Sequence, residues 1–196
     1  MWDERYASPE YVYGTEPNDF LASVAARIPR GRVLSIADGE GRNGVYLATL
    51  GHDVTSVDAS SVGLAKAERL AATRGVHITT VVADLAEYVI APGAWEGIVS
   101  IFCHLPRPLR QQLHAQVVRG LAPGGLFVLE AYSVDQLRHK TGGPSSAELL
   151  LTLDAARAEL AGLELIHAVE LERQVQEGLF HDGLSAVVQV VARKPA

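Results

Sequence analysis

Short apolar runs alternate with helix-period segments along most of the chain. Residues 32–37 (RVLSIA) are an unbroken apolar run and predict a buried strand. Residues 42–50 carry helical spacing and stop at Gly51. The runs at 53–57 (DVTSV), 77–83 (HITTVVA), 97–102 (GIVSIF) and 125–131 (GLFVLEA) predict four further strands. Helical patterns lie between them. Residues 60–74 open on Ser60 or Ser61 as a cap and stop at Gly75, and residues 108–121 alternate with helical period. Strands alternating with helices predict a parallel sheet covered by helices on both faces. Right-handed crossovers then bring the loops after the strands to one edge, where open α/β sheets bind ligands.

The end of the chain breaks that alternation. Residues 145–160 read as one helix, and 163–175 and 184–193 both read as strands. Only the turn-rich EGLFHDG link lies between those strands, which leaves no room for a crossover, so they pair antiparallel. The fold expected is α/β: a Rossmann-like three-layer sandwich with a seven-stranded, mostly parallel sheet and a C-terminal antiparallel hairpin. A single domain spans 1–196.

Residues 1–29 form an arm before the first strand. Trp2, Tyr6, Tyr11, Tyr13 and Phe20 place five of the chain's twelve aromatic residues in its first twenty positions. Residues 16–28 read as an amphipathic helix ended by Pro29. An aromatic arm at this place is a candidate lid over the binding edge.

Composition narrows the classes. The chain is 48% hydrophobic and 20% charged, the profile of a globular domain. Its net charge of −6 lacks the electrostatic footprint of a general nucleic-acid binder. Arg107, Arg110 and Arg119 suit the solvated face of a helix. No apolar run reaches the length of a membrane span, and the N-terminus has neither the basic start nor the apolar core of a signal peptide. One cysteine, Cys103, rules out an internal disulfide framework. A cytoplasmic protein with a small-molecule substrate, and without a nucleic-acid or membrane partner, is expected; the oligomeric state cannot be read.

The chemistry centres on SIADGEGRNG, residues 35–44. A glycine-rich turn from strand to helix lets a ligand approach the backbone, and the helix N-terminus behind it favours negative charge. Gly39-x-Gly41-x-x-Gly44 is literally a dinucleotide fingerprint. Asp58 follows Gly39 by 19 positions, at the end of the second strand, where a carboxylate accepts from ribose hydroxyls. Asp84, ending the third strand, suits an adenine amino group or a plain turn. These features fit both NAD and S-adenosylmethionine. The C-terminal hairpin discriminates between them, since an NAD domain of the usual kind continues with a sixth parallel strand and an added substrate domain.

RVLSIADGEGRNGVYLA, VTSVDAS, VVADL, IVSIFCHLP and LAPGGLFVLEAY follow one another in an order that resembles the class I S-adenosylmethionine-dependent methyltransferases. The N-terminal WDERYASPEYVYGTEPNDFL and the GEGRN loop resemble the small bacterial branch that includes tellurite-resistance and thiopurine-type methyltransferases. The resemblance covers nearly the whole chain. It implies methyl transfer to a small acceptor such as a thiol or an oxyanion like tellurite. It also implies that Gly39 and Gly41 lie against the methionine part of the cofactor, Asp58 on the ribose, and Ala59 beside the adenine. Asp84 and the Leu85 backbone would take the adenine amino group, Phe102 would line the methyl-donor pocket, and Arg42 would meet the methionine carboxylate. Tyr13 and Phe20 are the lid candidates. An NAD-dependent oxidoreductase and a non-catalytic binder of S-adenosylmethionine or S-adenosylhomocysteine are the alternatives.

Two positions depart from the family pattern. Ser35 stands where most members carry an acidic residue that holds the cofactor's ammonium group, and Ala37 and Asp38 replace Gly and then Cys or Ala. One reading has Asp38 supply the missing carboxylate from three residues along; the other has it cap the helix near Arg42. No metal site is expected. Methyl transfer needs a base only when the nucleophile arrives protonated. His104, Tyr132 and His181 are the weak candidates for that role.

Overall fold

The computed structural model describes residues 2–178 and 182–196. Seven strands form one sheet: β1 (Arg32–Ile36), β2 (Asp53–Asp58), β3 (Thr79–Val82), β4 (Trp95–Ile101), β5 (Leu121–Tyr132), β6 (Glu164–Gln176) and β7 (Asp182–Arg193). Their order is β3-β2-β1-β4-β5-β7-β6. β1 runs parallel to both β2 and β4, β5 runs parallel to β4, and β7 enters antiparallel between β5 and β6. The expected three-layer α/β architecture with its C-terminal hairpin is therefore the observed one.

Strand alternation builds two cores. Leu34, Ile36, Ile98 and Phe127 face one layer with Leu113 and Val117, while Val33, Val99 and Val128 face the other with Leu47 and Leu70. Both faces are covered, which is why the central strands read as continuous apolar runs rather than as alternating ones. The helices are α1 (Trp2–Tyr6), α2 (Asp19–Val24), α3 (Arg42–Thr49), α4 (Ser61–Thr73), α5 (Arg107–Gly120) and α6 (Leu153–Glu159). Among the described residues no helix is long and apolar enough to cross a membrane.

Two predicted helices are shorter than the pattern suggested. The helix expected over 16–28 begins at Asp19, because the Asn18 side chain accepts from the Leu21 amide at 2.8 Å and caps it there. It passes into a 3₁₀ turn at Ala25–Arg27. The helix expected over 145–160 is a 3₁₀ turn at Ala147–Leu149 followed by α6. Between them Leu150 and Leu151 are buried, and the Leu151 amide donates to the Tyr132 carbonyl at 3.0 Å. Docking those two leucines against the end of β5 prevails over continued helix, and Thr152 then caps α6 through the Ala155 amide.

The strand order reverses between β1 and β4, and the loops after β1, β2, β3 and β4 open at the same edge. The arm crosses that edge through α1, which packs on α4.

Candidate functional site

A cavity of about 640 Å³ occupies this edge, within the roughly 300–1,000 Å³ typical of small-molecule sites. Its floor is the turn from β1 into α3. Ala37 (φ 52°), Gly39 (φ 57°) and Gly41 (φ 86°) all take left-handed backbone there. Glycine adopts that conformation freely, whereas in Ala37 it costs about 1–2 kcal/mol. Phe102, directly after β4, has φ 52° and also lines the cavity. Backbone strain thus borders the site on both sides of the switch point.

Asp38 is the hub of the turn. Its carboxylate accepts from the Ser35 hydroxyl at 2.7 Å, the Ser56 hydroxyl at 2.6 Å and the Gly44 amide at 3.1 Å. The Gly44 bond is that of a helix cap, made on the first turn of α3. Burial pushes the Asp38 carboxyl above its ordinary range, and the Ser56, Ser35 and Gly44 donors oppose that rise. Gly44 is glycine for steric reasons, since a methyl group would collide with the Asp38 carboxylate and the Ser56 hydroxyl. It therefore belongs to the packing of the turn rather than to a dinucleotide fingerprint. Ser35, the departure from the family pattern, is bonded to Asp38 itself.

Asp58 ties the next two loops together. One oxygen accepts from the Gly39 amide at 2.9 Å and the other from the Ser60 amide at 2.8 Å. Burial raises its pKa, and those two amides work the other way. Asp58, Ala59, Asp84 and Leu85 all line the cavity. Asp84 is exposed at the rim and accepts from the Ala86 amide at 2.8 Å, a turn bond.

The arm is fastened over this floor by contacts that the sequence reading missed. Lys66 on α4 is 2% exposed and pairs with Glu40 of the glycine turn. Its ammonium also donates to the carbonyls of Ser8 at 2.8 Å and Glu10 at 2.6 Å. Glu40 accepts in turn from the Val12 amide at 2.8 Å. Tyr6 lies over the turn, so that a methyl group on Gly39 would come within 2.6 Å of its hydroxyl. Trp2 stacks on Tyr6 at 5.8 Å between ring centroids, and Tyr13 meets Tyr6 edge-on at 6.3 Å. Of the two lid candidates, Tyr13 lines the cavity. Phe20 does not: it is buried in the second core, 5.4 Å from the His167 ring.

Arg42 lines the cavity and is 7% exposed. One guanidinium nitrogen donates to Glu177 at 2.5 Å, and the other terminal nitrogen is buried without a hydrogen-bond partner. Glu177 precedes the hairpin turn and also accepts from Asn18 at 2.8 Å and Arg173 at 3.0 Å. The arm, the glycine turn and the hairpin thereby share one buried polar network. An acidic residue inside a glycine turn, as in GEGRN, was the available signal for Glu40; nothing local marks Glu177.

The wall after β4 is different in kind. Phe102 stacks on Tyr132 at 4.5 Å, and Tyr132 stacks on His104 at 5.4 Å. Leu105, Pro144 and Leu149 continue this wall. Both His104 ring nitrogens are shut off from solvent and lack a hydrogen-bond partner. Burial pulls the His104 pKa down to about 4, with the Leu149 backbone opposing. Burial likewise pushes the Cys103 thiol up to about 12. Tyr132 is fully buried, and its hydroxyl pKa is raised chiefly by that burial. His181 lies outside the described residues.

Residues 33–125 match a methyltransferase domain family. No curated protein sequence matches the chain. Among solved structures it resembles TehB from Haemophilus influenzae, with a TM-score of 0.75 and 20% identity, over 98% of this chain and 65% of that one. It also resembles the N-methyltransferase NodS from Bradyrhizobium japonicum WM9 in complex with S-adenosyl-L-homocysteine, with a TM-score of 0.72 and 16% identity, over 98% and 96% of the two chains. A third likeness has a TM-score of 0.78 and 18% identity, over 98% and 88% of the chains. That structure comes from work on conversion of a disulfide bond into a thioacetal group during echinomycin biosynthesis. The chain carries a methyltransferase domain of the class I fold, and its cofactor is S-adenosylmethionine.

Proposed function

We propose that this methyltransferase acts on a small-molecule nucleophile, drawn from thiols, oxyanions such as tellurite and related compounds, with the glycine turn and Asp58 holding the cofactor. The observation that carries the reading is one cavity with two unlike walls. A polar floor is built from the loops after β1, β2 and β3, and an apolar wall stands after β4.

The residues present fit the cofactor. Gly39 and Gly41 keep the turn free of side chains where the methionine part would lie. Asp58 keeps acceptor capacity beyond its two backbone donors, since a carboxylate has about four acceptor positions, and this suits ribose hydroxyls. The unpartnered Arg42 nitrogen is the donor for the methionine carboxylate. Asp38, which lines the cavity beside it, supplies the negative charge that Ser35 lacks. Ala59 flanks the adenine, with Asp84 and the Leu85 backbone receiving its amino group. Phe102 borders the reacting methyl, and Tyr13, joined by Tyr6, covers the bound molecule.

When bound, the cofactor supplies an activated methyl group on a sulfonium. The protein's work is alignment and exclusion of water. Lys66 and Glu40 fix the arm over the turn, and the aromatic rings of the arm close that side against solvent. A nucleophile that arrives ionised needs no base; one that arrives protonated does.

The test is thermal melting with S-adenosylmethionine, S-adenosylhomocysteine and NAD. Ligand at about 100 times its dissociation constant stabilises a protein by roughly 2.7 kcal/mol. Both sulfur compounds are expected to raise the melting temperature, and NAD to leave it unchanged. A shift with NAD alone would overturn the reading.

A further inference from the structure

His104 is the one histidine that borders the cavity, among the described residues. Its ring nitrogens are sheltered from solvent and unpartnered. A buried polar group left unsatisfied costs about 1–3 kcal/mol, so one kept beside a ligand cavity calls for an account. The floor of the cavity behaves differently: Asp38 and Asp58 accept three and two hydrogen bonds respectively. The charged residues that line the cavity are Arg5, Asp38, Glu40, Arg42, Asp58 and Asp84. All of them sit on the arm, in the loops after β1 to β3, or on the first turn of α3. None comes from the wall after β4 or from 142–149.

We propose that His104 is a catalytic residue which accepts the hydroxyl proton of a neutral acceptor with an apolar body, making the protein an O-methyltransferase. The proposal rests on the methyltransferase reading above and narrows its acceptor. An O–H is a strong donor to an imidazole nitrogen and arrives protonated, so it needs the base that His104 offers. A thiolate or an oxyanion brings no proton and would lie against a neutral ring, with no cation on that wall. Phe102, Leu105, Pro144 and Leu149 favour an apolar body. Catalytic hydrogen bonds commonly tighten only when the substrate is in place, so unpartnered nitrogens are what the empty cavity should show.

The step balances. A lone pair on the acceptor oxygen forms the new O–CH₃ bond while the C–S bond breaks, and sulfur keeps that pair and becomes neutral. The O–H proton passes to a His104 ring nitrogen. The cavity holds one positive charge before and after, on the sulfonium and then on the imidazolium. Burial therefore keeps the ring neutral at rest without opposing the transfer by the cost of a new buried charge. Once the product leaves, the imidazolium returns its proton to solvent.

The experiment titrates para-chlorophenol, benzenethiol and tellurite calorimetrically into the S-adenosylhomocysteine complex of the natural protein, His104→Leu and His104→Gln. Turnover of each probe is measured beside it with S-adenosylmethionine. para-Chlorophenol should bind and be methylated. His104→Leu should weaken its binding by about tenfold. His104→Gln, which restores a polar partner without a base, should hold binding within about threefold but lose roughly a hundredfold in turnover. S-adenosylhomocysteine affinity should not change in either variant. Unaltered binding in His104→Leu, unaltered turnover in His104→Gln, or preference for tellurite or benzenethiol would overturn the proposal. So would failure of para-chlorophenol to bind a protein that holds S-adenosylhomocysteine. Failure of the natural protein to bind S-adenosylhomocysteine would instead sink the methyltransferase reading.

Discussion

On the floor of the cavity, the carboxylates of Asp38, Glu40 and Asp58 are engaged by the chain's own donors before any ligand arrives. On the wall after β4, rings stack on one another and His104 has no polar partner. The floor is a preorganised framework whose bonds also hold the fold together. The wall is a packed surface with one polar function in reserve. Substitutions in the floor should therefore cost stability and cofactor affinity together, whereas substitutions in the wall should cost activity alone.

Lys66→Met tests the floor hardest. It strands Glu40 in the interior and releases the arm's carbonyls. Breaking a buried ion pair by removing one partner costs about 3–5 kcal/mol. Urea denaturation should show a loss of that size, and a loss below about 1 kcal/mol would mean that the arm is not fastened as described. Asp38→Ala comes next. It leaves the Ser35 and Ser56 hydroxyls and the Gly44 amide without their shared acceptor, for an expected loss of about 2–3 kcal/mol in the same assay. Asp38→Asn keeps the shape and removes the charge. S-adenosylhomocysteine affinity should fall about tenfold if that charge meets the ligand. Unchanged affinity would reduce Asp38 to a helix cap. The smallest effect belongs to the wall: the midpoint for His104→Gln should stay within about 0.5 kcal/mol of the natural protein. A larger loss would make His104 part of the framework and erase the contrast.

The sheet was legible because parallel strands buried on both faces leave continuous apolar runs, and the glycine turn because left-handed backbone selects glycine at Gly39 and Gly41. The contrast between floor and wall was not. Lys66 and Glu40 meet across 26 positions, and Asn18 reaches Glu177 across 159. Contacts of that kind leave no periodic trace. Tyr6 and Phe20 look alike as aromatics of one arm, yet the path of the arm sends Tyr6 over the turn and Phe20 into the core. The helix expected over 145–160 failed for a related reason: burying Leu150 and Leu151 against β5 is a tertiary gain that local propensity does not register.

The central claim is that the floor, and not the wall, holds the cofactor. Its most direct test is calorimetric titration of S-adenosylhomocysteine into the natural protein, Asp58→Asn and His104→Leu. The account predicts binding by the natural protein, a loss of about tenfold or more in Asp58→Asn, and a change of no more than about threefold in His104→Leu. Equal affinity in Asp58→Asn and the natural protein, or an equal loss in the two variants, would contradict it.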